Sequence, residues 1–158
     1  MIAYHLTACL LAPGAIILPG NWGRMLNLYA TPIEDAHAAE LLLKETIFEM
    51  VREQGFPTRP SRMHSLFCCP TLEGARHFQE TQCRRFDLIY EVELKSENIF
   101  FASWNHVNLP SDKNFLALQS YEELAKAYWS IEWEKEPSAK DSLEILSPNP
   151  AIVRKLVL

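Results

Sequence analysis

The sequence predicts one α+β domain. Three observations carry that expectation: short segments with period-2 alternation, one long segment with helical periodicity, and the lack of a glycine-rich phosphate loop or a regular strand–helix–strand series. With 158 residues, 48% hydrophobic and 22% charged, the chain can bury a core without disulfide or metal staples.

Residues 2–7 read as a strand, with Ile2, Tyr4 and Leu6 on one face and His5 and Thr7 on the other. Residues 14–18 read as a second strand stopped by the turn pair Pro19-Gly20. Asn21 to Thr31 reads as a loop containing Trp22, Arg24 and Tyr29. Pro32 to Gln54 is the strongest helix: Thr31 suits its cap, Glu34 and Asp35 suit the positive end of its dipole, and Gly55 ends it. Leu41, Leu42, Ile47, Phe48 and Val51 supply its expected buried face.

After the prolines at 57 and 60, His64 to Cys69 reads as a strand, and Thr71 caps a helix with Glu73 in its first turn. Phe86 to Leu94 alternates most cleanly, and Ile99 to Ser103 is its expected partner strand. Ser120 with Glu123 forms a capping-box pattern opening a helix to Ser130. Two strands close the chain, Leu143 to Leu146 and Ile152 to Leu158, separated by Pro148-Asn149-Pro150.

Composition narrows the function classes. A net charge of −5 argues against bulk nucleic-acid affinity, which needs a basic surface, and Arg76, Arg84 and Arg85 make only a weak local patch. Cys9, Cys68, Cys69 and Cys83 include no CxxC pair. Adjacent strand cysteines face opposite ways, so the four are expected as buried or half-buried free thiols in a reducing compartment, with no metal site. The apolar stretch Leu6 to Leu18 lacks a basic region before it, is broken by Pro13-Gly14, and falls short of the ~20 residues a spanning helix needs. The expectation is a cytoplasmic chain with no membrane partner and an open oligomeric state.

Three segments carry candidate chemistry. His5 and Thr7 share a strand face, so imidazole and hydroxyl can address one ligand, although a strand histidine also has an ordinary reading as a half-exposed surface residue. The second segment runs from Arg62 to Ala75: an arginine, a short strand through Ser65 and Phe67, then Thr71-Leu72-Glu73-Gly74-Ala75. The third is Ser142-Leu143-Glu144-Ile145-Leu146, which puts a carboxylate in an apolar strand, either at an exposed edge or held for a purpose. Glu132, Glu134 and Glu136 are rival carboxylates in a stretch that reads as a charged, solvated loop.

In this order the segments resemble the His-aromatic-acid branch of the ADP-ribosyltransferase superfamily, and in motif layout the rifampin ADP-ribosyltransferases. The resemblance rests on His5-Leu6-Thr7, Leu18-Pro19-Gly20 and Arg62 to Ala75, and covers about half the chain. It implies a split, antiparallel-rich β core with flanking helices and NAD as co-substrate. His5 would position the nicotinamide-side ribose, aided by Thr7, and Phe67 would stack on the nicotinamide. Glu144 would orient the ribose 2′-hydroxyl and stabilise the developing cation; His5 and Glu144 are thus the catalytic candidates. Gly20, Arg24 and Ser65 complete the implied cofactor contacts, with residues 21–29 as a lid over the pyrophosphate and Pro110 to Phe115 on the acceptor side.

Phe67 stands where these enzymes often have tyrosine, and the long helix is an insertion relative to the rifampin enzymes. The resemblance leaves the acceptor open among protein, nucleic acid, small molecule and water. Three other readings stay open: a non-catalytic NAD or nucleotide-binding module, a 2′-phosphotransferase disfavoured by the acidic charge, and an unrelated α+β protein. In the last case His5 and Phe67 should lie far apart.

Overall fold

The computed structural model describes residues 1–29, 36–107, 118–135 and 141–157, without the side chains of residues 28, 29, 118 and 119. The fold is α+β, with antiparallel sheets and helices in one domain. The strands are β1 (Ile2–Thr7), β2 (Ile16–Ile17), β3 (Leu66–Cys68), β4 (Leu88–Leu94), β5 (Phe100–Ser103), β6 (Leu143–Ser147) and β7 (Ala151–Val157). The helices are α1 (Asn21–Tyr29), α2 (Ala36–Gly55), α3 (Leu72–Thr81) and α4 (Leu118–Ser130).

The strands form two antiparallel sheets, β1-β4-β7-β2 and β3-β6-β5. The pairing of His5 with Tyr90 fixes the register of β1 on β4, and that of Phe67 with Leu146 fixes β3 on β6. A single bridge joins the sheets, with Tyr4 N–H donating to Cys69 O at 2.9 Å and Cys69 N–H to Tyr4 O at 2.7 Å. The split between the sheets opens beside this bridge.

Adjacent Cys68 and Cys69 show the alternation at work: Cys68 packs with Ala3, Tyr90 and Val92, Cys69 with Phe48, Phe100 and Leu146. The second cluster is the larger core. There α2 meets α4 through an edge-on Phe48–Tyr128 contact at 5.5 Å, and Trp129 Nε1–H donates to Phe48 O at 2.9 Å.

Several expectations are corrected. Residues 21–29 are helical, not a loop: Trp22, Met25, Leu26 and Tyr29 follow i, i+3, i+4, i+7 spacing, a signal obscured by Gly23. Gly23 lets α1 sit directly on the turn at residues 62–64, where an added Cβ would run into Met63 O. The strand expected from His64 shortens to Leu66–Cys68 because Arg62–His64 is a 3-10 turn, held by Ser65 Oγ–H donating to Ser61 O at 2.6 Å. Similarly, β4 begins at Leu88 and Phe86 is exposed. Ser120 does not cap α4, since the chain is already helical at Leu118. Cys9 and Cys83 are exposed, and only Cys68 and Cys69 are buried.

Two further expectations, the Thr71 cap and the end of the long helix at Gly55, are met. Thr71 Oγ1 accepts from Gly74 N–H at 3.0 Å, capping α3. Gly55 is the last residue of α2. The expected start of that helix at Pro32, with Thr31, Glu34 and Asp35, lies outside the described residues. No described helix is long and apolar enough to cross a membrane.

Candidate functional site

At the split between the sheets lies a cavity of about 470 Å³. Its wall includes His5 and Thr7 from β1, Ser65 and Phe67 from the 62–68 segment, and Trp22 from α1; its floor includes Lys44, Glu45, Arg62 and Glu144.

The floor is organised by Arg62, buried beside the apolar core. Its Nε donates to Glu45 Oε2 at 2.9 Å and its Nη2 to Glu45 Oε1 at 3.2 Å, the two-pronged geometry a guanidinium favours. Its Nη1 donates to Glu144 Oε1 at 2.9 Å and to Tyr128 Oη at 2.6 Å. The phenol in turn donates to the same Glu144 oxygen at 2.7 Å. Among the described residues both contacts to Glu144 fall on Oε1, which leaves Oε2 as its unengaged oxygen. Burial works against the Arg62 charge, but Glu45, Tyr128 and Glu144 outweigh it and hold its pKa well above the usual arginine value. Burial pushes the Tyr128 phenol well up too, so it serves as a neutral donor.

The wall is less constrained. His5 Nδ1 lies 2.9 Å from Phe67 O. A carbonyl only accepts, so the proton sits on Nδ1 and Nε2 carries the free lone pair. Burial pulls the His5 pKa below 6.5, against the opposing pull of the Phe67 carbonyl. A neutral imidazole with an open Nε2 acceptor suits a ligand hydroxyl. Thr7 Oγ1 accepts from Cys9 N–H at 3.2 Å, so its own hydroxyl proton is available to a ligand. The Arg62 guanidinium lies 5.0 Å from the Phe67 ring centroid and covers one side of that ring.

Cys68 and Cys69 also line the cavity. Burial raises both thiols, Cys69 to about 12, so neither is a ready nucleophile. No group of three or more His, Cys, Asp or Glu suited to a metal ion occurs among the described residues.

The sequence-derived candidates divide. His5, Thr7, Ser65, Phe67 and Glu144 meet at the cavity, while Gly20 and Arg24 line a neighbouring groove with Met63 and His64. Gly20, at φ +83, donates its N–H to Ser65 O at 3.1 Å, and Arg24 Nη1 donates to Pro19 O at 3.2 Å, so both close the α1 corner. Ser65 precedes β3 rather than sharing its face with Phe67. Glu144 is buried, not exposed, on β6, the central strand of its sheet. Glu132 and Glu134 are exposed, and Glu132 pairs with Lys135; Glu136 and Pro110 to Phe115 lie outside the described residues.

Sequence reading missed Lys44, Glu45 and Tyr128. The signal was present for the first two: they fall at i+3 and i+4 from Leu41, on the stripe that continues through Phe48 and Val51. Polar residues on a buried stripe mark a function or a paired network. Leu41 and Leu42, expected on the buried face, are only half-buried.

Comparison with known proteins places the chain in a family. The family model described as a protein of unknown function, DUF2441, matches residues 25–152. The chain belongs to the DUF2441 family. The matched span holds Lys44, Glu45, Arg62, Phe67, Tyr128 and Glu144, whereas His5 and Thr7 precede it. No curated protein matches the sequence.

Proposed function

We propose that the chain transfers ADP-ribose from NAD to an acceptor and releases nicotinamide, using the cavity at the split between the sheets. One observation carries the reading: three separate segments bring His5 and Thr7, Phe67, and Glu144 to the same cavity. Its volume of about 470 Å³ suits a small-molecule site. The resemblance drawn from the sequence supplies the chemistry.

Nicotinamide leaves as a neutral molecule from a cationic precursor, so the leaving group needs no acid. The reaction needs placement and negative charge beside the developing cation. His5 Nε2 accepts a ribose hydroxyl, Thr7 donates to a second polar group, and Phe67 offers the ring surface that Arg62 leaves open. Glu144 supplies the charge through Oε2, while Arg62 and Tyr128 hold Oε1 still. Acceptor contacts lie on other segments, and the acceptor class stays open among protein, nucleic acid, small molecule and water.

A second reading has its own support. Glu144 is ion-paired to Arg62, and Phe67 lacks the hydroxyl of tyrosine. Both features fit a module of the same fold that binds NAD or a nucleotide without turning it over. Incubation with NAD and chromatographic detection of free nicotinamide separates the two. The transferase reading expects release that falls at least ~100-fold in Glu144→Gln, the scale of losing one transition-state contact. Release no greater from the wild type than from Glu144→Gln leaves the binding module.

A further inference from the structure

Lys44 takes part in none of the contacts described above. It lies on the buried stripe of α2, is 7% exposed, and lines the cavity floor beside Glu45. Among the described residues it has no hydrogen bond or salt bridge. Its stem is buried while its ammonium keeps access to the cavity without a protein partner, an arrangement rare for lysine.

Of the carboxylates that share the floor with it, Glu45 is engaged through both oxygens, by Arg62, and Glu144 through one, Oε1, by Arg62 and Tyr128. Glu45, Glu40 and Glu144 act on Lys44 only through space, and Arg62 opposes them. The Lys44 charge balances the two carboxylates of the floor against Arg62, and among the described residues its N–H donors have no protein acceptor, which leaves them to the contents of the cavity. The Trp22 indole nitrogen, on a residue of the same cavity, is fully buried without an acceptor among the described residues. Two unmatched donors around one cavity call for a ligand rich in acceptor oxygens.

We propose that the cavity takes a ligand bearing an oxyanion, a carboxylate or a phosphate, which Lys44 receives at the floor. Lys44 lies apart from the groove of Gly20 and Arg24, although Trp22 belongs to the 21–29 segment that the resemblance sets over the pyrophosphate of NAD. The inference does not depend on ADP-ribosyl transfer: it concerns oxyanion binding, which can succeed where nicotinamide release fails, and the reverse.

Proton linkage follows. Burial lowers the Lys44 pKa in the free protein, ahead of the opposing pull of Glu45, Glu40 and Glu144. An oxyanion against the amine raises it again, so binding takes up a proton and affinity falls as pH rises.

The test titrates the full chain, carrying ¹⁵N-labelled lysine, with inorganic phosphate and separately with acetate, following the Lys44 Nζ resonance across pH. The expected result is an upward shift of the Lys44 titration by about one pH unit at saturation, the shift of an amine gaining about 1.4 kcal/mol of preference for its charged form. Response to phosphate alone assigns a phosphate-bearing ligand, and response to acetate alone a carboxylate; response to both keeps the shared oxyanion class. Lys44→Met, which keeps length and burial, is expected to weaken the responding anion at least ~10-fold. Indifference of the Lys44 resonance to both anions, or equal affinity in Lys44→Met, overturns the proposal. If the variant fails to fold, the wild-type titration alone decides.

Discussion

The cavity floor and its wall solve opposite problems. On the floor, Arg62 meets two carboxylates and a phenol in full burial, every contact at 3.2 Å or less. Along the wall, His5, Thr7 and Phe67 are half-buried. Among the described residues the His5 ring has one polar contact, to Phe67 O, and the Thr7 hydroxyl has one, to Cys9 N. A buried charge network holds only when nearly complete, because each missing partner leaves a desolvated charge. A wall that must receive a ligand keeps its donors and acceptors partly open. Glu144 belongs to both regions: Arg62 and Tyr128 hold its Oε1, and its Oε2 has no hydrogen-bond partner among the described residues.

The sharpest way to break this comparison is Arg62→Ala. It strands two buried carboxylates, and a loss of about 3–5 kcal/mol is expected in urea unfolding. A loss under ~1 kcal/mol means the network contributes little to the fold. Glu144→Gln is the intermediate case: the shape survives and Arg62 keeps Glu45, so the expected stability loss is about 1–3 kcal/mol. Equal losses in Arg62→Ala and Glu144→Gln would erase the distinction between centre and periphery of the network.

On the wall, Phe67→Leu should cost under ~1.5 kcal/mol of stability. In a calorimetric titration it should weaken NAD binding ~10-fold through lost stacking surface. The smallest effect is one of pH. The His5 pKa is lowered in the folded chain, so between that value and 6.5 the unfolded chain binds more protons. Stability is therefore full above pH 6.5 and declines as pH falls toward the folded value. His5→Gln should flatten that part of the pH–stability profile, and an unchanged slope would place the linkage elsewhere.

How much of this was legible in the sequence depends on the scale at which each feature is encoded. Strand alternation revealed β1, β4, β5, β6 and β7 to within two residues, but not their pairing, since β5 lies against β6 in the other sheet and not against β4 as expected; the Thr71 cap lay beside the helix it starts. What escaped was either diluted or non-local. Gly23 diluted the helical pattern of residues 22–29, and its purpose, the close approach to Met63, exists only in the folded chain. Arg62 is separated by 17 residues from Glu45, 66 from Tyr128 and 82 from Glu144. No local rule joins them. The convergence of His5 and Phe67 was readable only as order along the chain; the 2.9 Å contact between the His5 ring and the Phe67 carbonyl gives that order a geometry.

The account stands most directly on His5 Nε2 as the acceptor for a ligand hydroxyl in this cavity. Titrating ¹⁵N-histidine-labelled protein with NAD, while following the His5 ring nitrogens, measures that role. A saturable shift at His5 Nε2 is expected, with Nδ1 unchanged because it stays bonded to Phe67 O. Saturation with NAD that leaves His5 unmoved, or moves only signals near Gly20 and Arg24, would contradict it.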